Sequence, residues 1–422
     1  MNKPKQTELE RVYGESEKSG ARFQKLGEQF HKRYGWEKAD FFSAPGRTEM
    51  IGNHTDHNGG LVLAASVSMD TIGAACPNNS DEIHITSEGY SSEIVVDLNA
   101  IDQVEKVQGT QSLVAGMVEA IRKAGFAVSG FDAYVSTEVI SAAGVSSSAS
   151  FEMLVCSMIN YFFNDNAMTC IDYAKAGQYA ENVFWNKASG LMDQMACAVG
   201  GAILLDFSGE QPTYEHMDFS FQSLGYHLVI VNTGKGHADL GDVYSEIPLE
   251  MRQAACAASA ERLCDTDWES VLKNISKIEN DRAILRALHF FEENKRVRKA
   301  AEAITAGDKK ELLSQLEKSG TSSWELLQNC YALQNYTEQK IPLALALTRL
   351  FLEQAGDGVC RIHGGGFAGV IMAVVPEDKT ESYVDYISEF VGRENVYPLD
   401  IRAAGAVRLE RVRNKIPLST IQ

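Results

Sequence analysis

Between Ser43 and Gly60 the chain gathers Arg47, His54, Asp56 and His57 among Gly46, Gly52, Gly59 and Gly60, with few apolar residues to bury. A segment that only filled a core would not have this composition. Pro45-Gly46 and Asn58-Gly59 are turn chemistry, which places Arg47, His54, Asp56 and His57 on a loop at the mouth of a cleft. His54-Thr-Asp-His57 has residue types that ligate metals. It could equally be a polar turn capping neighbouring backbone, or a loop that grips a polar ligand. The last is the reading adopted, and the other two stay open at this point.

Two further clusters could carry chemistry. Ser141-Ala-Ala-Gly-Val-Ser-Ser-Ser-Ala-Ser150 lies between a strand-like run, 131–140, and an apolar run, 151–163, that reads as a buried helix. A strand, a small-residue loop and a helix start make a phosphate site, because free N–H groups and the helix dipole both favour negative charge there. Serine-rich loops are also plain linkers. Nothing matches GxxxxGK[ST], and Gly234-Lys-Gly236 lacks the first glycine at the required distance. Glu181 and Asp193 form a pair of carboxylates twelve residues apart. Solvated surface charge is the default for such a pair. Asp193, however, sits between Leu191-Met192 and Met195-Ala-Cys197, and a carboxylate buried by such neighbours needs a partner.

The elements that must position these residues follow from periodicity. Residues 16–33 predict a helix with Phe23, Leu26 and Phe30 on one face, closed by Gly35. Residues 61–69 read as a buried strand, 81–89 and 93–98 as a hairpin, and 112–124 as an amphipathic helix closed by Gly125. A helix over 174–185 and a strand over 201–206 follow. A new strand at 226–233 marks a shift near residue 223, giving two domains, 1–223 and 224–422. From Pro248 to about Asn329 the chain is helical and charged, and 341–355 is an apolar helix. Val359–Val375 reads as strand, glycine turn, strand; by itself Gly364-Gly365-Gly366 reads as a plain hairpin turn.

Gly46-Arg-Thr-Glu-Met-Ile-Gly-Asn-His-Thr-Asp-His-Asn-Gly59 resembles the first motif of galactokinases, within the GHMP family of small-molecule kinases. Glu49 stands where that family has Asn, and Asn53 where it has Glu. Gly144-Val-Ser-Ser-Ser-Ala149 resembles the second motif, with Ile140 and Ala142 replacing its Pro and first Gly. Arg361-Ile-His-Gly-Gly-Gly-Phe-Ala-Gly369 resembles the third, with His363 for Thr and Ala368 for Gly. Arg286–Val297 resembles a galactokinase helix. The resemblance spans about Phe30 to Arg402. It implies a two-domain α+β protein whose N-terminal domain is like ribosomal protein S5 domain 2 and whose C-terminal domain is ferredoxin-like, with the active site between them.

The resemblance also assigns roles. Asp193, in Gly190-Leu-Met-Asp-Gln194, is the implied catalytic carboxylate and Arg47 its partner. Ser148 and Glu181 are the implied Mg²⁺ ligands, and Gly144, Ser146, Ser147, Ser148 and Ala149, with Gly365 and Gly366, the implied ATP-binding residues. Asn53, His54, Asp56, Gly190 and Tyr244 are the implied sugar-binding residues. The family's second-domain Tyr falls at Ile247; Tyr244, three residues earlier, can replace it if the segment is helical. The implied activity is ATP-dependent phosphorylation of a sugar at its anomeric hydroxyl. Galactose comes first as substrate, galacturonate or a modified hexose second, and a non-catalytic sugar-binding regulator third.

Composition limits the partners. A length of 422 residues favours two domains. A net charge of −18 argues against nucleic acid or an anionic membrane, though a few local cations can hold a triphosphate. Eight cysteines without CxxC spacing read as reduced thiols. Met1–Glu8 lacks the apolar core of a signal peptide, and no uncharged apolar run is long enough to span a bilayer. The expectation is a cytoplasmic monomer.

Overall fold

Two sheets organise the chain, and their meeting line carries the residues singled out above. In the computed structural model, residues 3–140, 144–187, 189–234, 241–333, 336–367 and 369–411 are described. Ala142 and Ala368, at which the chain departs from the motifs, and Lys235-Gly236 lie outside the described residues.

The first half runs α1 (Gln6–Tyr13), α2 (Glu17–Tyr34), β1 (Asp40–Ile51), β2 (Leu61–Pro77), β3 (Glu82–Ser87), β4 (Ile94–Asp97), α3 (Thr110–Lys123), β5 (Phe131–Thr137), α4 (Ser147–Phe163), α5 (Cys170–Tyr179), α6 (Met192–Val199), β6 (Ala202–Asp206) and β7 (Thr213–Met217). Helix α2 buries the expected stripe of Phe23, Leu26 and Phe30, and Gly35 caps it at φ 75°, a left-handed conformation glycine adopts at no steric cost. Strands β3 and β4 form the expected hairpin.

The second half runs β8 (Tyr226–Asn232), α7 (Gly241–Ala257), α8 (Trp268–Lys273), α9 (Asp281–Ala306), α10 (Lys309–Ser322), α11 (Lys340–Ala355), β9 (Val359–Ile362), β10 (Val370–Pro376), α12 (Thr380–Val391), β11 (Val396–Leu399) and β12 (Val407–Leu409). Its four-stranded sheet has the order β11-β8-β10-β9 with every neighbour antiparallel. That order, with helices between β8 and β9 and between β10 and β11, is the split βαβ arrangement of ferredoxin-like domains. Strand β12 leaves this sheet and pairs with β1, at the edge of the eight-stranded first sheet. The chain therefore ends its described course where the first sheet begins. Between the sheets, Met50, Ile51 and Leu63 share one core with Leu228, Ile230, Met372, Val297 of α9 and Leu312 of α10.

Three local expectations need correction. The stretch from Ser43 to Ile51 is not a loop: it lies inside β1, buried throughout. Pro45-Gly46 does not reverse the chain but marks a register shift against β2, the kind of irregularity where proline is tolerated inside a sheet. Gly46 has no Cβ for a reason visible here. One would stand 2.7 Å from the Val145 carbonyl, and the Arg47 N–H donates to that same carbonyl at 3.0 Å. Helix α4 begins at Ser147 rather than Phe151, because Ser146 turns left-handed (φ 58°) and opens it. The single helix expected over 174–185 is α5 followed by a π-helical turn, Ala180–Phe184. Such bulges are frequent at functional sites.

Candidate active site

Arg47 projects from β1 just past the register shift and meets Asp193 in the first turn of α6. The guanidinium grips both carboxylate oxygens, Nε to Oδ1 at 2.7 Å and NH2 to Oδ2 at 2.5 Å. It also donates to the Gly144 carbonyl. Ser146 Oγ adds a third donor to Asp193 Oδ2 at 2.7 Å. Burial pushes the Asp193 carboxyl up, but the fork of Arg47 and the Ser146 hydroxyl outweigh it and hold the group below the usual carboxylate range. The apolar flanks that predicted a partly buried Asp193 with a partner thus have their counterpart in a half-buried, paired carboxylate, and β1, the serine loop and α6 meet there.

A second oxygen pair lies beside it. Ser148 Oγ donates to Glu181 Oε1 at 2.8 Å, and Lys187 Nζ reaches the same oxygen at 2.8 Å. The π-turn carries Glu181 into this position, where it is 2% exposed. One turn after Ser148, Glu152 is fully buried. Burial and the nearby Glu181 push its carboxyl well above the ordinary range. A hydroxyl and a carboxylate oxygen converging here are the hard oxygen donors that a divalent ion with phosphate ligands takes.

The other end of the pocket is built on the loop after β1. Gly52 (φ 116°) and His54 (φ 59°) take left-handed backbone conformations and a 3₁₀ turn covers Asp56–Asn58, so His54, Asp56 and His57 lie on a loop as the sequence predicts. Gly190 has to be glycine: a Cβ there would stand 1.8 Å from Asp56 Oδ2. His54 Nε2 contacts the Gly365 carbonyl at 2.9 Å, and its ring lies 5.0 Å from that of Tyr244. Burial, then His57, lowers the His54 pKa to about 3, which keeps the ring neutral. Helix α7 is helical at Tyr244 and turns it into the pocket, while Ile247 is fully buried in a core cluster.

One pocket is lined by Arg47, Asn53, His54, Asp56, Glu181, Gly190, Asp193, Tyr244 and Gly365, together with Glu49, Lys187, Ser189, Met192, Gln194 and Gly364. Ser146 and Ser148 reach it through Asp193 and Glu181. Gly144 packs against His363, where a Cβ would stand 2.9 Å from Nδ1. Gly365 and Gly366 back onto Tyr244 and Asn329 respectively. Lys187, Glu152 and the buried Glu49–Arg361 ion pair (2.8 Å) escaped sequence reasoning. Lys187 carried one usable signal, a lone cation three residues before Gly190. A fully buried carboxylate such as Glu152 shows no signal in an apolar helix beyond its own oddity.

The chain is similar to known proteins over most of its length. Residues 28–77 match the galactokinase galactose-binding signature, and residues 112–201 the GHMP kinases N terminal domain. The chain is 30% identical over 370 residues to a galactokinase of Clostridium tetani, covering 86% of this chain and 91% of that one. It is 30% identical over 391 residues to a galactokinase of Lactococcus lactis, covering 90% and 94%. The crystal structure of Lactococcus lactis galactokinase complexed with galactose superposes with a TM-score of 0.78 at 27% identity, covering 92% of this chain and 99% of that chain. A mevalonate kinase at 15% identity and a TM-score of 0.61 shares the fold.

Proposed function

We propose that this chain, which belongs to the galactokinase family of the GHMP kinases, transfers the γ-phosphoryl group of ATP to the anomeric hydroxyl of galactose. The observation that carries this reading is Asp193, held ionised by Arg47 and Ser146 where the serine loop and the His54–Asp56 loop face one pocket. In phosphoryl transfer the protein's work is alignment of the acceptor and stabilisation of charge in flight. Asp193 accepts the hydrogen bond of the sugar hydroxyl, aims its oxygen at the phosphorus and takes the proton as the bond forms. A carboxyl held below its usual range is a weak base, so orientation is the larger part of its contribution. Arg47 keeps Asp193 ionised and offers positive charge beside the transferring group.

Asp56, His54, Tyr244 and the backbone at Gly190 bind and orient the sugar, and the loop N–H groups from Gly144 to Ala149 receive the phosphates at the start of α4. Ser148 and Glu181 would hold Mg²⁺, which, when bound, neutralises charge on the phosphate oxygens. A uronic acid is the weaker candidate substrate. Of the carboxylates lining the pocket, Asp193, Glu181 and Glu49 are paired with Arg47, Lys187 and Arg361, and Asp56 has no Lys or Arg partner among the described residues, so a further carboxylate would meet its negative charge.

The test is a coupled ATPase assay with Mg·ATP against galactose, galacturonate, N-acetylgalactosamine and glucose. Turnover with galactose is expected. Turnover with another of these sugars alone would keep the mechanism and replace the substrate, and sugar binding without turnover would leave a regulator on a kinase scaffold. No helix among the described residues is long and apolar enough to cross a membrane; a cytoplasmic monomer remains part of the proposal.

A further inference from the structure

We infer that Asn53 is a positioning residue that latches the sugar loop to the second half of the chain, and that no polar atom of it is left to bind substrate. This rests on the reading of the pocket as a sugar site. Both amide protons of Asn53 are committed, one to Glu49 Oε2 at 2.7 Å and one to the Gly364 carbonyl at 2.7 Å. Its Oδ1 accepts from Asn329 Nδ2 at 2.8 Å. Its backbone is engaged as well: the carbonyl meets His289 Nε2 at 2.9 Å, and the N–H points to Glu293 Oε1 at 3.4 Å. The side chain touches the pocket wall but is 1% exposed.

The partners explain why the latch is firm. Glu49 is tied to Arg361 on β9 at 2.8 Å, so the acceptor of the first amide proton cannot swing away. Glu293 also accepts the Gly52 N–H at 3.1 Å and is paired with Arg296 at 2.7 Å. Burial raises its carboxyl, yet His289, Arg296 and Arg361 outweigh that and bring it to about 2. A fully buried, ionised carboxylate spent on loop N–H groups rigidifies those peptides, because leaving any member unpaired in the low dielectric is costly. The next residue is His54, whose left-handed φ of 59° is a conformation that persists only when its surroundings over-determine it. The latch supplies that determination, and with it the placement of His54 and Asp56.

The test is calorimetric titration of galactose and a series of singly deoxygenated galactoses into wild-type protein, Asn53→Ala and Glu293→Gln, with steady-state kinetics and thermal unfolding alongside. Glu293 does not line the pocket, and its variant keeps the size of the side chain. If Asn53 positions, both variants weaken galactose and every deoxy analogue by one common factor of about tenfold or more. The KM for ATP then stays put, and kcat at saturating sugar stays within a few-fold. The inference is overturned if Asn53→Ala weakens galactose but leaves one deoxy analogue at its wild-type affinity, since that hydroxyl would then be its partner. It is equally overturned if folded Glu293→Gln binds sugar like wild type. Should Asn53→Ala not fold, Glu293→Gln decides alone. Wild-type protein that binds none of these sugars would instead overturn the sugar reading beneath it.

Discussion

The two ends of the pocket are held in place by different forces. At the phosphate end, charge holds charge: Arg47 on Asp193, Lys187 on Glu181, with Ser146 and Ser148 completing the pairs. At the sugar end the pocket wall is a neutral imidazole, a phenol, glycine backbone, the Asp56 carboxylate and a Glu49 already paired with Arg361, and it is kept in shape largely by hydrogen bonds to peptide groups. The first end can stabilise charge that appears during transfer; the second can read the shape of a polyol. Damage at the first should appear in kcat, and damage at the second in the KM for sugar.

The sharpest way to break this contrast is Asp193→Asn. A drop in kcat of about 10²–10⁴ is expected, with nucleotide affinity by titration within a few-fold of wild type. Near-normal turnover would remove Asp193 from the chemistry. Arg47→Met comes next, with a loss of about 10²–10³ in kcat. It adds a pH signature: without the guanidinium, burial at Asp193 is opposed chiefly by the Ser146 hydroxyl and Lys187, so the acid limb of kcat/KM moves to higher pH. The sign for stability agrees. A carboxyl lowered by folding stabilises the protein above its ordinary pKa, and that share is lost as pH falls through the lowered value; the acid side of a pH–melting curve should flatten in the variant.

At the sugar end, Gly190→Ala drives a Cβ into Asp56 and must displace it. Overpacking of about 1–3 kcal/mol converts to roughly a five- to hundredfold rise in sugar KM, with kcat much less affected. Equal falls in kcat and kcat/KM would mean that Asp56 acts in the transition state, and the two ends would not differ as described. Tyr244→Phe is the mildest. The ring against His54 survives, and the hydroxyl's contact with His57 is long, at 3.4 Å. A rise in sugar KM of less than tenfold is expected, read from initial rates at fixed ATP.

Much of the pocket was legible because its residues are out of character for their surroundings. Asp193 stands among apolar neighbours, glycines cluster beside histidines, and hydroxyls crowd the start of an apolar helix. Element types were legible for the same reason, as the buried stripe of α2 shows. Local turn chemistry misled at Pro45-Gly46, where pairing with β2 and the approach of Val145 decide the conformation and the sequence shows only two turn formers. The π-turn at Ala180–Phe184 was hidden because it keeps helical composition and merely adds a residue to a turn. The latch on Asn53 was hidden for another reason: its partners His289, Asn329 and Gly364 lie more than two hundred residues along the chain. Periodicity and motif spacing act over tens of residues and carry no information at that range.

The pairing of β12 with β1 sets a timetable. Strand β1, which bears Arg47, has β2 on one side; on the other, Val407–Leu409 pairs with Phe41–Ser43 and the Val145 carbonyl takes the Arg47 N–H. During synthesis the Phe41–Ser43 part of that second edge stays open until Val407–Leu409 has been made, and an unpaired edge is the kind that templates aggregation. The contact joins residues more than 360 apart, and such pairings are slow to form because so much chain must be ordered first. The Phe41–Ser43 edge of the strand that bears Arg47 therefore waits for a partner more than 360 residues later, whereas Arg47 itself meets Val145 much earlier in the chain.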